Sequence, residues 1–207
     1  MSRDILVVHR NKLFSKIKQF QGFLKFDENA NFKDEIMKYF EYLERNDLLE
    51  KNSDYKQIIP YVWLINMREK KVFLYKRSSA GNESRLYDKY SGGVGGHIDR
   101  DTEEKSGDPV NAAMIRELKE EVSMAIYPSP NIIGYINDET GDVERVHFGV
   151  VAVGETDENV TPAEDMDSGK FFSIKETDAL FSDSKVNFEN WTIISWPFIK
   201  EYIQNLK

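Results

Sequence analysis

Residues 108–122, DPVNAAMIRELKEEV, can form little other than a helix with a fixed start and one buried side. Asp108 is a good cap, and Pro109 at the first helical position loses nothing by lacking an N–H. Val110, Met114, Ile115, Leu118 and Val122 then recur on one side with helical period. At ~100° per residue, Glu117, Glu120 and Glu121 fall within an arc of roughly 100° beside that stripe. Three carboxylates therefore stand at the border between core and solvent. Glu117 repels Glu120 and Glu121 across one turn, and the C-terminal half of a helix disfavours anions. Arg116 and Lys119 offset only part of this cost. Two readings follow: a solvated acidic face, or a site where a hard divalent cation collects several oxygen ligands.

The segment upstream favours the second reading. SGGVGGHID, residues 91–99, holds four glycines, which excludes a regular strand or helix interior and lets backbone groups approach a ligand or ion. Before it, IIPYVWLINM and VFLYKR are apolar and β-prone, with REKK between them as a tight polar turn. After the helix, NIIGYI and VERVHFGVVAVGE read as strands separated by NDETGD, and FFSI as another. The pattern predicts a short helix over Ile174–Phe181 and a longer one over Phe188–Leu206, interrupted near Pro197. At the other end, ILVVHRNKLF reads as a short strand and a turn, and the stretch Phe32–Leu49 as an amphipathic helix. These elements predict a layered α/β (α+β) architecture. An extension over residues 1–52, a strand plus an amphipathic helix, is expected to pack on a main domain over 53–207.

Charge and composition narrow the function. Among 207 residues, 28 Lys+Arg against 36 Asp+Glu leave a net charge of −8, unlike a protein that coats a nucleic acid polymer. The same excess repels an anionic small molecule unless a cation intervenes. Thirteen Phe, ten Tyr and three Trp supply a real core, and the absence of cysteine removes thiol nucleophiles, thiolate metal sites and disulfides together. No run approaches the ~18 apolar residues of a membrane span, and the apolar run Ile5–Val8 is too short for a signal peptide. A cytoplasmic protein without a membrane partner is expected.

Arg116-Glu117-Leu118-x-Glu120-Glu121, preceded by a Gly-Gly turn, resembles the Nudix box, G-x5-E-x7-R-E-U-x-E-E-x-G-U, of the MutT-like hydrolases. VFLYKRS and GKFFSIKETDAL look like its flanking strands, so the resemblance runs from Gln57 to Leu180. It implies a Nudix-like α/β/α sandwich with a mixed sheet. It also implies metal-dependent hydrolysis of a nucleoside diphosphate linked to another moiety, with Mg²⁺ or Mn²⁺ as cofactor. Glu117, Glu120 and Glu121 fall on the family's metal-binding glutamates, Arg116 on the arginine that positions them, and Gly96 on the glycine whose carbonyl is often a ligand. Glu120 or Glu121 would activate the water; some members use a glutamate from a later loop, for which Glu164 is the best-placed candidate. Three departures stand out. The spacing from Gly96 to Arg116 implies an insertion of about six residues, placed in an acidic loop at Arg100–Gly107. Asp108 replaces the box's first glutamate, and Ser123 replaces its last glycine, which is expected to make the following turn less easy.

Arg77, or Lys76, could meet a substrate phosphate at the end of its strand, or form a surface ion pair. His97 beside Gly96 reads as a pocket residue or as a hydrogen-bonded structural histidine. Tyr87, Tyr90 and Phe148 are candidates for stacking a base, or plain core aromatics. The competing function is a nucleotide-sensing or partner-binding domain on the same fold, without turnover. An isoprenyl diphosphate isomerase, which the strand–Gly-Gly–His run also resembles, would need a cysteine that this chain lacks. The N-terminal extension is expected to cover the sheet or to build a homodimer contact.

Overall fold

The computed structural model describes residues 3–77, 89–163 and 166–205. The chain is α+β, a mixed sheet with helices. Its strands are β1 (Asp4–His9), β2 (Gly22–Lys25), β3 (Phe40–Glu44), β4 (Tyr55–Asn66), β5 (Lys71–Arg77), β6 (Tyr90–Ser91), β7 (Gly93–Val94), β8 (Val122–Ser123), β9 (Asn131–Asn137), β10 (His147–Thr156), β11 (Thr161–Pro162) and β12 (Met166–Ser173). Its helices are α1 (Arg10–Leu13), α2 (Phe32–Tyr39), α3 (Arg100–Glu103), α4 (Pro109–Glu121), α5 (Ile174–Ser182) and α6 (Asn190–Asn205). Among the described residues, no helix is long and apolar enough to cross a membrane. The chain divides into two compact units, Met1–Tyr61 with Gly95–Met114 and Ile132–Ala152, and Val62–Val94 with Ile115–Asn131 and Val153–Lys207.

In the first unit, the run Ile5–Val8 is wholly buried, as expected of an apolar strand covered on both faces. β1 pairs antiparallel with β3, Leu6 opposite Tyr42, and with the start of β4, Val8 opposite Lys56. The helix expected over Phe32–Leu49 therefore ends early. α2 stops at Tyr39, Phe40 is extended at φ −66° and ψ 151°, and FEYLE continues as β3. A five-residue ladder on β1 outweighs the modest helical preference of Phe, Tyr and Glu there. At its start, the Asn31 side chain accepts from the Lys33 amide at 3.0 Å and from the Tyr135 hydroxyl at 2.8 Å. Burial pushes Tyr135 up to about 12. Phe32 centres an aromatic cluster with Phe14, Phe20, Tyr135 and Phe148, its ring 5.1 Å from that of Phe148.

In the second unit, β5 pairs with β12, with β6 and with the end of β4, Ile65 opposite Val72. The turn between β4 and β5 carries Lys70 at φ 53°, where the REKK link was read. α5 begins on a reciprocal cap: the Ser173 hydroxyl accepts from the Glu176 amide, and the Glu176 carboxylate accepts from the Ser173 amide at 2.8 Å. The interruption expected at Pro197 is absent, for α6 runs through it. Pro197 lies on the exposed side of α6, where water can serve the carbonyl that its missing N–H leaves. The Trp63 indole donates to Ser195 of that helix at 3.1 Å, and a Cβ on Gly92 would sit 2.1 Å from the Trp63 ring.

One cation is fully removed from water in the first unit. The Lys56 ammonium donates to Glu139 at 2.8 Å, to the Arg145 carbonyl at 2.7 Å and to the His147 carbonyl at 3.3 Å. Arg10 donates to the same Glu139 oxygen and the same Arg145 carbonyl, both at 2.8 Å. Burial lowers Lys56 to about 8 against the pull of Glu139. Glu139, which burial alone would raise, is held below the usual carboxylate range by Arg10 and Lys56. An ammonium at about 8 in the folded chain and 10.5 when unfolded binds its proton more weakly in the fold. Its contribution to stability therefore increases as pH rises from about 8 towards 10.5. Relative to Lys56→Met, wild type is expected to gain stability between pH 7 and about pH 9.5 in urea denaturation; a pH-independent gap would contradict this.

Candidate active site

α4 starts as the sequence requires. The Asp108 carboxylate accepts from the Asn111 amide at 3.1 Å and its carbonyl from the Ala112 amide at 3.0 Å. Lys33 of α2 completes this cap with an ion pair to Asp108 at 2.5 Å. The preceding segment, Arg100–Gly107, is not a loop. α3 and a tighter turn over Glu104–Ser106 make it helical, and Gly107 ends it at φ 76°. Glu103 fixes that helix from inside: only 1% exposed, it accepts from the Asp99 amide at 2.6 Å. The acidic residues there suggested solvent, whereas Glu103 serves as a buried cap for backbone.

The second half of α4 carries the carboxylates. Arg116 bonds Glu117 at 2.8 Å and Glu120 at 2.7 Å, so one guanidinium bridges two groups that repel each other. Glu117 is 5% exposed, Glu121 is half-buried, and the Glu120 side chain is 56% exposed. The three thus step from core to solvent across the helix edge. Among the described residues, no three His, Asp or Glu side chains already converge as a cage. The donor set still suits a hard divalent cation: the oxygens are carboxylate, one group is fixed by burial, and Glu120 is free enough to swing.

The end of α4 is tied to β11 and to Ala163 after it. β8 pairs antiparallel with β11, Ser123 opposite Thr161, and the Ala163 amide donates to the Glu121 carbonyl at 2.9 Å. Ser123 is exposed and extended, with no positive φ, so this position needs no glycine and the expected difficulty of the turn does not arise. Glu164 and Tyr87 lie outside the described residues. Arg77 is the last residue of β5, in register with Met166.

Gly96 and His97 belong to the first unit, and Arg77, Arg116, Glu117, Glu120 and Glu121 to the second. The His97 Nε2 bonds the Gln57 side-chain oxygen at 2.7 Å, and its ring meets His147 edge-on at 5.5 Å. Burial, then the charges of Arg45, His147 and Arg3, holds His97 well below its ordinary value, so it is neutral at pH 7. Phe148 is wholly buried in the aromatic cluster, and Tyr90 packs on Phe188 at 5.8 Å. Sequence reasoning missed Gln57, whose signal was the polar pair Lys56–Gln57 at the start of β4, directly before its apolar run.

No family model matches the chain. Protein YmaB of Bacillus subtilis (strain 168) is 35% identical over 157 residues, which is 73% of this chain and 75% of YmaB. The crystal structure of Tm1382, a candidate Nudix hydrolase, matches 96% of this chain and 99% of its own at 25% identity, with a TM-score of 0.77. The Nudix domain of Shewanella oneidensis NrtR, complexed with ADP ribose, matches 73% of this chain and 89% of its own at 15% identity and a TM-score of 0.53.

Two substitutions test this local geometry. A Cβ on Gly95 would lie 1.8 Å from the Pro60 carbonyl oxygen, so Gly95→Ala is expected to cost at least about 2 kcal/mol in urea denaturation. Ser123→Gly is expected to cost roughly 0.5–1 kcal/mol, because it removes a side chain from an extended position; a gain would mean that the turn is strained after all.

Proposed function

We propose that this chain, a member of the Nudix hydrolase superfamily, cleaves the phosphoric anhydride of a nucleoside diphosphate linked to another moiety, using Mg²⁺ or Mn²⁺. The observation that carries this reading is the Arg116 guanidinium shared by Glu117 and Glu120. It holds two carboxylates at an edge where their repulsion would otherwise separate them.

Glu117, Glu120, Glu121 and the Gly96 carbonyl would hold the cation. Bound there, it would neutralise the non-bridging oxygens and lower the pKa of the attacking water. Arg116 keeps the carboxylates oriented. Glu120 or Glu121 takes the proton of the water, or Glu164 does so from the loop that leaves Ala163. The Ala163–Glu121 hydrogen bond supports that last role, since it holds the residue before Glu164 at the end of α4. Arg77 at the end of β5 would bind a substrate phosphate, and neutral His97 would line the pocket. The substrate class is supported by the ADP ribose bound to the NrtR domain. We also read the protein as cytoplasmic, acting on a free small molecule rather than a nucleic acid polymer, with residues 1–52 as an extension that packs on the domain over 53–207 and covers the sheet or builds a homodimer contact.

The alternative, a nucleotide-sensing or partner-binding domain without turnover, is favoured by one observation. Asp108, at the position of the box's first glutamate, is committed to the helix cap and to Lys33.

A panel of nucleotide sugars, dinucleoside polyphosphates, NADH, ADP-ribose and damaged nucleoside triphosphates, assayed with Mg²⁺ and Mn²⁺, separates the two. Turnover is expected with at least one of them, and Glu120→Gln or Glu121→Gln should reduce it by about 100-fold or more at unchanged thermal stability. Nucleotide binding by calorimetry without products would establish the sensor instead.

A further inference from the structure

The segment that follows β7 is fastened on both sides of Gly96, at Gly95 before it and at His97, Ile98 and Asp99 after it, all within the first unit. Gly95 lies so close to β4 that a Cβ would meet the Pro60 carbonyl oxygen at 1.8 Å. His97 bonds Gln57 of β4 through Nε2 at 2.7 Å. The Ile98 carbonyl accepts from the Leu6 amide of β1 at 2.8 Å, and Asp99 bridges to Ile5 of the same strand. Gly96 itself has no Cβ to restrict its rotation, so its neighbours decide where its carbonyl points. Of these anchors, the one at Gly95 depends on the absence of a Cβ, and the one at Ile98 is made by main-chain atoms. The one at His97 depends on a single amide.

Gln57 is wholly buried, and its carboxamide nitrogen has no hydrogen-bond partner among the described residues. An unpaired buried donor costs about 1–3 kcal/mol, so the packing of β4 alone would favour an apolar residue at this position. What the amide retains is one bond, the acceptance from His97.

We propose that Gln57 is a positioning residue, which fixes the Gly95–His97 backbone through the His97 ring and thereby sets the direction of the Gly96 carbonyl. The proposal rests on the reading that this carbonyl helps to hold the divalent cation. Gln57 never touches the cation or the substrate. It acts as outer partners of metal sites do, by holding a ligand in the geometry that the ion requires.

The test uses the full chain with Gln57→Leu, Gln57→Asn and Gln57→Glu. Leucine removes the acceptor, asparagine withdraws it by one methylene, and glutamate keeps an oxygen for His97. Two quantities are read: amide hydrogen exchange along the whole chain, and Mn²⁺ affinity by calorimetry. The Leu and Asn variants are expected to exchange about 10-fold faster at residues 95–98, with β2, β9 and α6 unchanged. They should bind Mn²⁺ about 10-fold more weakly, and Gln57→Glu should restore both values. Wild-type exchange at 95–98 in the Asn variant, or acceleration spread evenly over the chain, overturns the positioning role. Local acceleration with unchanged Mn²⁺ affinity overturns it as well. A wild type that binds no Mn²⁺ at all sinks the hydrolase reading instead, and the exchange result then judges Gln57 alone.

Discussion

A carboxylate on the middle of a helix, almost wholly out of water, is the constraint that orders this molecule. Glu117 is tolerable at 5% exposure because a guanidinium lies 2.8 Å away on the preceding residue. A buried charge stripped of its partner would cost about 3–5 kcal/mol. The pairing therefore fixes which face of α4 turns inward, and with it where Glu120 and Glu121 emerge. Hydrophobic burial of Val110, Met114, Leu118 and Val122 sets the same face from the other side. The apolar stripe and the ion pair agree on one rotation of the helix, so few alternatives compete with it.

The start of α4 and most of the strands were legible because their signals are local. Asp-Pro before an apolar period names a cap and a first turn, and IIPYVWLINM cannot be satisfied in solvent. β3 was not legible. FEYLE fits a strand or the end of a helix equally well, and only the open edge of β1, more than 30 residues earlier, decides between them. The acidic stretch before Gly107 misled for a related reason. A carboxylate is read as a solvent-facing group until the amide it caps is known, and Glu103 caps Asp99 from the core. At the candidate site, the Asp108 cap and the placing of the carboxylates at the border of core and solvent were legible from type and spacing. Gln57 was not, because an amide in an apolar strand has no meaning until its partner across the fold is seen.

Lys56 and Gln57 form an adjacent buried polar pair on β4. Their side chains serve different ends: Lys56 with Arg10 grips the segment between β9 and β10 through Glu139 and the Arg145 carbonyl, while Gln57 reaches the glycine turn. Successive residues of a strand point to opposite faces. One strand thus anchors two irregular segments, and each anchor costs the unit some desolvation in exchange for a defined conformation.

The tether between β8 and β11 has a consequence for how such a chain diversifies. It consists of two residue pairs and one amide donated by Ala163, all made by main-chain atoms. Side chains of β8 and β11 can drift through mutation without loosening this tether. A lineage could thus vary the chemistry presented beside the acidic end of α4 while the backbone that holds it there stays untouched.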